Sequence, residues 1–377
     1  MHADLFQPLE GLLEREDPIA GFDFLIDRLL SAAEYGLVFE ARLMEQRFRL
    51  GLPLVQTNSL DSDDYQQAVL EAAREAGRLF LASGNIERAW PYFRAISEPA
   101  PVADAIAGIS PDAASDALIA IAFQEGVHPL KGLEFILARH GICRAITSFG
   151  MLAVAKDREP CIALLARNLH AEIVSRIGRA IEDREGSPAA TSSLVELMNG
   201  RDWLFGEWDC YVDTSHLASV VPYGIDVAGR AVLEVFHELC EYGRHLSPQF
   251  QPRGAPPFED LFGAYGHYIQ ALLGNDVERH VEYFRQQVAG CDPETAGDAA
   301  ARILVRLLVA LHRPAEALPV LLESVVENSP YGAEVPSALQ LCYQANDFTR
   351  MKALARERGD VLSYFAADIL KRAADRG

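Results

Sequence analysis

The sequence predicts an all-α protein built of antiparallel helix hairpins. Three observations carry that prediction: apolar residues recur at spacings of three and four along most of the chain, period-two alternation is nearly absent, and Gly and Pro breakers fall at regular intervals. With 50% hydrophobic residues over 377 positions the chain can bury a large core, as two or three domains or one long array.

Phe22, Leu25, Ile26, Leu29 and Leu30 form one apolar helical stripe, and Ile303, Leu304, Leu307, Leu308 and Leu311 form another. The best candidate strand is short: Trp208, Cys210 and Val212 alternating with Asp209, Tyr211 and Asp213. Breakers stand at Gly51 and Pro53, Pro99–Pro101, Gly108–Pro111, Gly126–Pro129, Gly186–Pro188, Pro248–Pro257, Pro293 and Pro330. They divide the chain into a dozen or more helices of roughly 10–20 residues joined by short turns.

One segment reads as a complete helix hairpin. Gly77 and Ala89 are small residues on two antiparallel helices, Phe80 and Phe93 fill the space beside them, Gly84 ends the first helix and Pro101 stops the second. The order small, aromatic, Gly, small, aromatic, Pro resembles the tetratricopeptide repeat. A second copy runs through Leu304, Val305 and Leu308 to His312 and Pro314, then Glu316, Ala317, Leu321 and Pro330; Val305 and His312 stand where the family pattern has glycine. Two degenerate copies follow Gly274-Asn275-Asp276, with His280, Tyr283 and Phe284, and Ala345-Asn346-Asp347, with Phe348 and Met351. The resemblance covers about 70–105 and 262–360 and implies an α-α superhelix, a solenoid of antiparallel hairpins. The chain accordingly reads as an N-terminal helical section, 1–105, a histidine-rich middle section, 106–247, and a C-terminal degenerate repeat section, 258–377, with Ser247–Pro257 as linker.

The charge balance, 34 Lys+Arg against 54 Asp+Glu for a net −20, opposes binding to phosphate backbones and anionic lipid, so neither nucleic acid nor membrane is expected as partner. The first residues, MHADLFQPLEGLLERED, lack the basic and apolar regions of a secretory signal, and the apolar run Ile303–Leu311 is short and interrupted by Arg306. Cys143, Cys161, Cys210, Cys240, Cys291 and Cys342 are scattered singly, as reduced, mostly buried thiols of a cytoplasmic protein would be.

Phosphate-binding, dinucleotide-binding, nucleophile-elbow and H-E-x-x-H signatures are all missing. Histidines gather in the middle section instead. His140, beside Gly141, Cys143 and Arg144, reads either as a C-terminal helix cap with Cys143 in the core, or as part of an anion site at a helix start. Asp213 is an apt N-cap with His216 three positions on, so the pair either caps a helix or converges on one proton or metal. His170 and Glu172 point apart on a helix, which leaves His170 to join a site single-handed, and His237 shares a face with Cys240 and Glu241. Trp203, Phe205, Trp208 and Tyr211 read as a packed loop or a pocket wall.

Two functions follow. The first is an interaction scaffold with no cofactor that takes a peptide or protein partner, basic in view of the charge, on its concave face. The alternative is a helical enzyme that binds a metal, zinc or iron, or a small molecule through His140, His170, His216 and Asp213.

Overall fold

A helix that folds back on itself within a few residues must satisfy its last carbonyl groups inside the turn, and one way is to place a residue in the left-handed region. This chain uses that solution repeatedly. The structure, a computed structural model, describes residues 6–14, 17–54, 63–151, 157–188, 191–291, 297–325 and 334–375. The breakers Pro293 and Pro330 lie outside the described residues.

Regular structure among these residues is helical, apart from one isolated antiparallel bridge between Arg253 and Asp260. Trp208–Val212 is irregular loop, not strand. Two compact units divide at Cys161/Ile162. The first holds α1 (Phe6–Leu13), α2 (Pro18–Ser31), α3 (Tyr35–Arg49), α4 (Asp63–Ala82), α5 (Ile86–Ala95), α6 (Ala100–Ala107), α7 (Asp116–Ile119) and α8 (Pro129–Gly150). Next come α9 (Arg158–Glu185), in whose first turn the division falls, α10 (Leu194–Met198), α11 (Thr214–Val220), α12 (Arg230–His245), α13 (Leu261–Leu273) and α14 (Val277–Gly290). The series closes with α15 (Ala299–Ala310), α16 (Pro314–Ser324), α17 (Ala338–Gln344), α18 (Phe348–Glu357) and α19 (Val361–Ala374).

Helices pack on their neighbours in chain order, α2 through α6 in the first unit and α12 through α19 in the second. Five of the connecting turns run straight into the next helix by the same geometry, which Gly51 and Ser97 also adopt at the ends of α3 and α5. Ala33, Gly84, His312, Asn346 and Gly359 each stand two residues past a helix end with φ of 56°, 77°, 58°, 57° and 69°. In each, the next residue's N–H reaches back to a carbonyl of the last helical turn: Glu34 to Leu29, Asn85 to Phe80, Arg313 to Leu308, Asp347 to Cys342 and Asp360 to Ala355, all at 2.8–2.9 Å. In three of them that same residue caps the following helix, as Asn85 accepts from Arg88 N, Asp347 from Arg350 N and Asp360 from Ser363 N. Two residues therefore end one helix and start the next.

The hairpin read at 77–101 forms as α4 and α5. Ala89 is fully buried, Phe80 and Phe93 nearly so, and a Cβ on Gly77 would lie 2.6 Å from Phe93 Cε2. Pro101, however, does not stop α5. That helix ends at Ala95 with Ser97 left-handed at φ 58°, and Pro101 opens α6, where its missing N–H costs no hydrogen bond. His312 takes the left-handed turn position itself, and Val305 is fully buried. The Pro-rich stretch 247–257 lies within the second unit, with a 3₁₀ turn at Pro248–Phe250 before the Arg253–Asp260 bridge.

All six cysteines are free thiols; Cys161, Cys240 and Cys342 are buried, but Cys143 is exposed, not core. Burial pushes the Cys161 thiol up to about 12. No helix among the described residues is long and apolar enough to cross a membrane.

The shared turn makes opposite predictions for two positions. Ala33→Gly stabilises by up to ~1 kcal/mol, since a Cβ in the left-handed region is strained, and Gly84→Ala destabilises by about 1 kcal/mol. Chemical denaturation of both variants checks the two signs. At the α4–α5 crossing, Ala89→Leu overpacks and costs ~1–3 kcal/mol, read as a lowered melting temperature.

Candidate site on helices α12 to α14

Helix α13 has the sequence LFGAYGHYIQALL, and ten of its thirteen residues are buried. His267, Gln270 and Leu272 are the half-exposed ones. Residues three apart share a helix face, so His267 and Gln270 form a polar seam on an otherwise apolar helix. The seam is held firmly because α12 and α13 cross closely: a Cβ on Gly243 would overlap the Phe262 ring, and one on Gly266 would touch Cys240.

The flanking helices add to the seam. From α14, His280 brings its Nδ1 to within 2.7 Å of His267 Nδ1, and Tyr283 stacks on the His267 ring with centroids 4.1 Å apart and planes 11° apart. From α12, His237 receives the Gln270 side-chain N–H, which lies 2.9 Å from Nδ1 and 3.0 Å from Nε2. Asn275 then donates to Gln270 Oε1 at 2.6 Å, fixing the amide's orientation.

The contact between the two Nδ1 atoms dictates a protonation state. One nitrogen must donate and the other must offer a lone pair, so the two Nδ1 atoms share a single proton and the accepting ring is neutral. The electrostatics agree. Burial first, then repulsion by a proton on His280 and by the charges of Arg279 and Arg244, pushes His267 down to about 4, with Asp260 opposing. Burial likewise lowers His280, aided by Arg279 and His237 and opposed by Asp276. The seam therefore presents neutral hydrogen-bonding groups and a stacked aromatic edge. Among the described residues no group of three or more His, Cys, Asp or Glu side chains is arranged to hold a metal ion.

The residues singled out from sequence lie elsewhere. His140, in the first unit, is exposed just before Gly141, whose φ of 76° breaks α8; its Nε2 is 4.0 Å from Asp116 Oδ1. Asp213 accepts from Ser215 N at 2.8 Å as the N-cap of α11; the Ser215 side chain first and its backbone N–H second, with a smaller contribution from His216, hold its carboxyl below the usual range. His170 places Nε2 2.6 Å from Glu238, and Glu172 pairs with Arg176.

Glu238 is fully engaged: besides His170 it accepts from Ser193 Oγ at 2.6 Å and Leu194 N at 2.9 Å, tying α9 and the start of α10 to α12. Burial raises this carboxyl, but the three hydrogen bonds outweigh it and hold it low. Ser193, His170 and Leu194 N thus meet on one carboxylate, which pins the three segments together.

His237 turns to Gln270, Cys240 is buried and Glu241 pairs with Arg244, so the possible ligand face of α12 is dispersed. The aromatic loop is only partly packed: Arg184 covers Trp203, Phe205 leans on Tyr242 and His245, but Trp208 is 74% exposed.

No protein-family model, curated protein or solved structure matches this chain.

The depressed histidines set a pH dependence. Below the usual 6.5 and above about 4, the unfolded chain binds protons at these sites that the folded chain does not, so stability present at neutral pH is lost as pH falls through that window. Replacing His267 by Gln removes its share of the effect and leaves that of His280. The wild-type melting temperature falls more steeply than the variant's between pH 6.5 and 4; parallel curves would show the imidazole pair to be uncoupled from folding.

Proposed function

We propose that this chain is a helical-repeat interaction protein, tetratricopeptide-like at about 70–105 and 262–360, that takes a peptide or protein partner on the concave face of an α-α superhelix in its second unit, across the α12–α14 seam. What supports the repeat reading is the recurrence of one turn between successive hairpins and the nearest-neighbour packing of the helices. The observation that carries the binding reading is the seam itself. His237, His267, Gln270 and His280 interrupt a surface that packing alone would fill with apolar side chains.

Neutral imidazoles and an oriented amide recognise hydrogen-bonding groups, such as peptide N–H and C=O, better than charges. The net −20 of the whole chain adds a longer-range preference for basic flanks and keeps nucleic acid and anionic membranes away. A polar peptide segment with basic residues on either side fits both.

The test is a peptide array followed by calorimetric titration of the best binders. Gln270→Ala, together with Tyr283→Ala, weakens binding by about tenfold or more if the seam is the contact, as loss of paired groups at an interface centre does. Saturable binders whose affinity is indifferent to both changes would place the interface elsewhere, and the lack of any saturable binder would count against the function.

A further inference from the structure

Helix α19 has two faces with different duties. Its inner face packs on α18 through buried Ala367, with Lys352 reaching Asp368 and Arg356 donating to the Tyr364 hydroxyl at 2.6 Å. Its outer face carries Val361, Leu362, Phe365 and Ile369, which are 75%, 80%, 67% and 52% exposed. These spacings of one, three and four put all four side chains on a single stripe. Together they offer roughly 400–500 Å² of contiguous apolar surface, as large as the largest patch on a typical monomer.

We propose that this stripe is covered by the same stripe of a second copy, the two α19 helices lying antiparallel about a two-fold axis. Area and charge both argue for self-pairing. Two such stripes bury about 1,000 Å² in total, the lower bound for a specific interface, which gives a weak, reversible dimer. The helix is also electrically asymmetric, with Asp360 at its amino end and, towards its carboxyl end, exposed Lys371 and Arg372, the latter paired with Asp368, ahead of Asp375 at the cap. Antiparallel packing sets each acidic end against its partner's basic end, and opposes the two helix dipoles favourably. Parallel packing would set like charges together. In the antiparallel register Leu362 meets Ile369 of the other copy, and Phe365 lies beside its own counterpart.

Sedimentation velocity of the full chain from about 1 to 200 µM, where interfaces of this size associate, gives a reversible monomer–dimer equilibrium. Phe365→Asp raises the dissociation constant by more than tenfold without lowering the melting temperature, because Phe365 is exposed in the folded chain; Leu362→Ser does the same with a smaller change of charge. Under mild oxidation in a Cys143→Ser background, Phe365→Cys cross-links to itself, whereas Leu362→Cys and Ile369→Cys cross-link when mixed but not singly. A wild-type chain that stays monomeric across the range overturns the proposal and leaves the stripe to a different protein. Dimers unaffected by Phe365→Asp, or self-cross-linking of Leu362→Cys, overturn the interface or its antiparallel sense.

Discussion

The reversal of chain direction between successive helices is the constraint from which the rest follows. Each reversal leaves carbonyl groups without helical partners, and burying them unpaired is costly. One left-handed residue, followed by an N–H that reaches back into the helix it has just left, closes the turn in so few residues that the next helix must lie against the last. Where the following residue is Asn85, Asp347 or Asp360, its side chain also caps the new helix. Local hydrogen bonding thus determines the neighbour-on-neighbour packing before any core contact is counted.

Close packing then rests on glycine facing phenylalanine. Gly77 meets Phe93 between α4 and α5, Gly132 meets Phe123 between α8 and the turn before it, and Gly243 meets Phe262 between α12 and α13. At Gly77 and Gly243 the ring occupies the space a Cβ would need, and at Gly132 the backbone and Cβ of Phe123 occupy it, so in each case the chain segments approach more closely than a side chain would allow. This arrangement gives α13 its burial on nearly every side and makes its two polar residues conspicuous.

The helical class was legible because period 3.6 is a property of the chain alone, and the α4–α5 hairpin was legible because its turn and crossing residues are glycines. Other copies of the same turn were hidden. The turn at Ala33 is such a case, since nothing in an alanine announces the left-handed conformation, while those at His312 and Asn346 were legible only through the order of the residues around them. Pro101 misled for a related reason, since a proline that follows one helix may equally open the next, and only the left-handed Ser97 tells which. The seam was missed because histidines were weighed by their clustering along the chain. His237, His267 and His280 come from three helices, and the sequence signal that could have found them was a histidine and a glutamine three apart in an otherwise apolar helix. Trp208 carried no such signal, since a tryptophan looks core-bound until the loop holding it is seen.

In a chain with net charge −20, the long-range field favours protonated imidazole and should draw histidine pKa values upward. His267 and His280 move the other way. Burial is the largest influence on each; Arg279 repels a further proton at both rings and Arg244 at His267, with Asp260 opposing at His267 and Asp276 at His280 more weakly. The seam is thus a locally non-acidic strip on an acidic protein, and its rings keep the single shared proton that their 2.7 Å separation requires. On the proposed reading, a site so arranged would not select its ligand by charge at the point of contact. Selection there would fall to hydrogen-bond geometry and stacking on Tyr283, while attraction over longer distance would fall to the carboxylates outside it, a division that would separate affinity for the contacting segment from the rate at which a basic partner arrives.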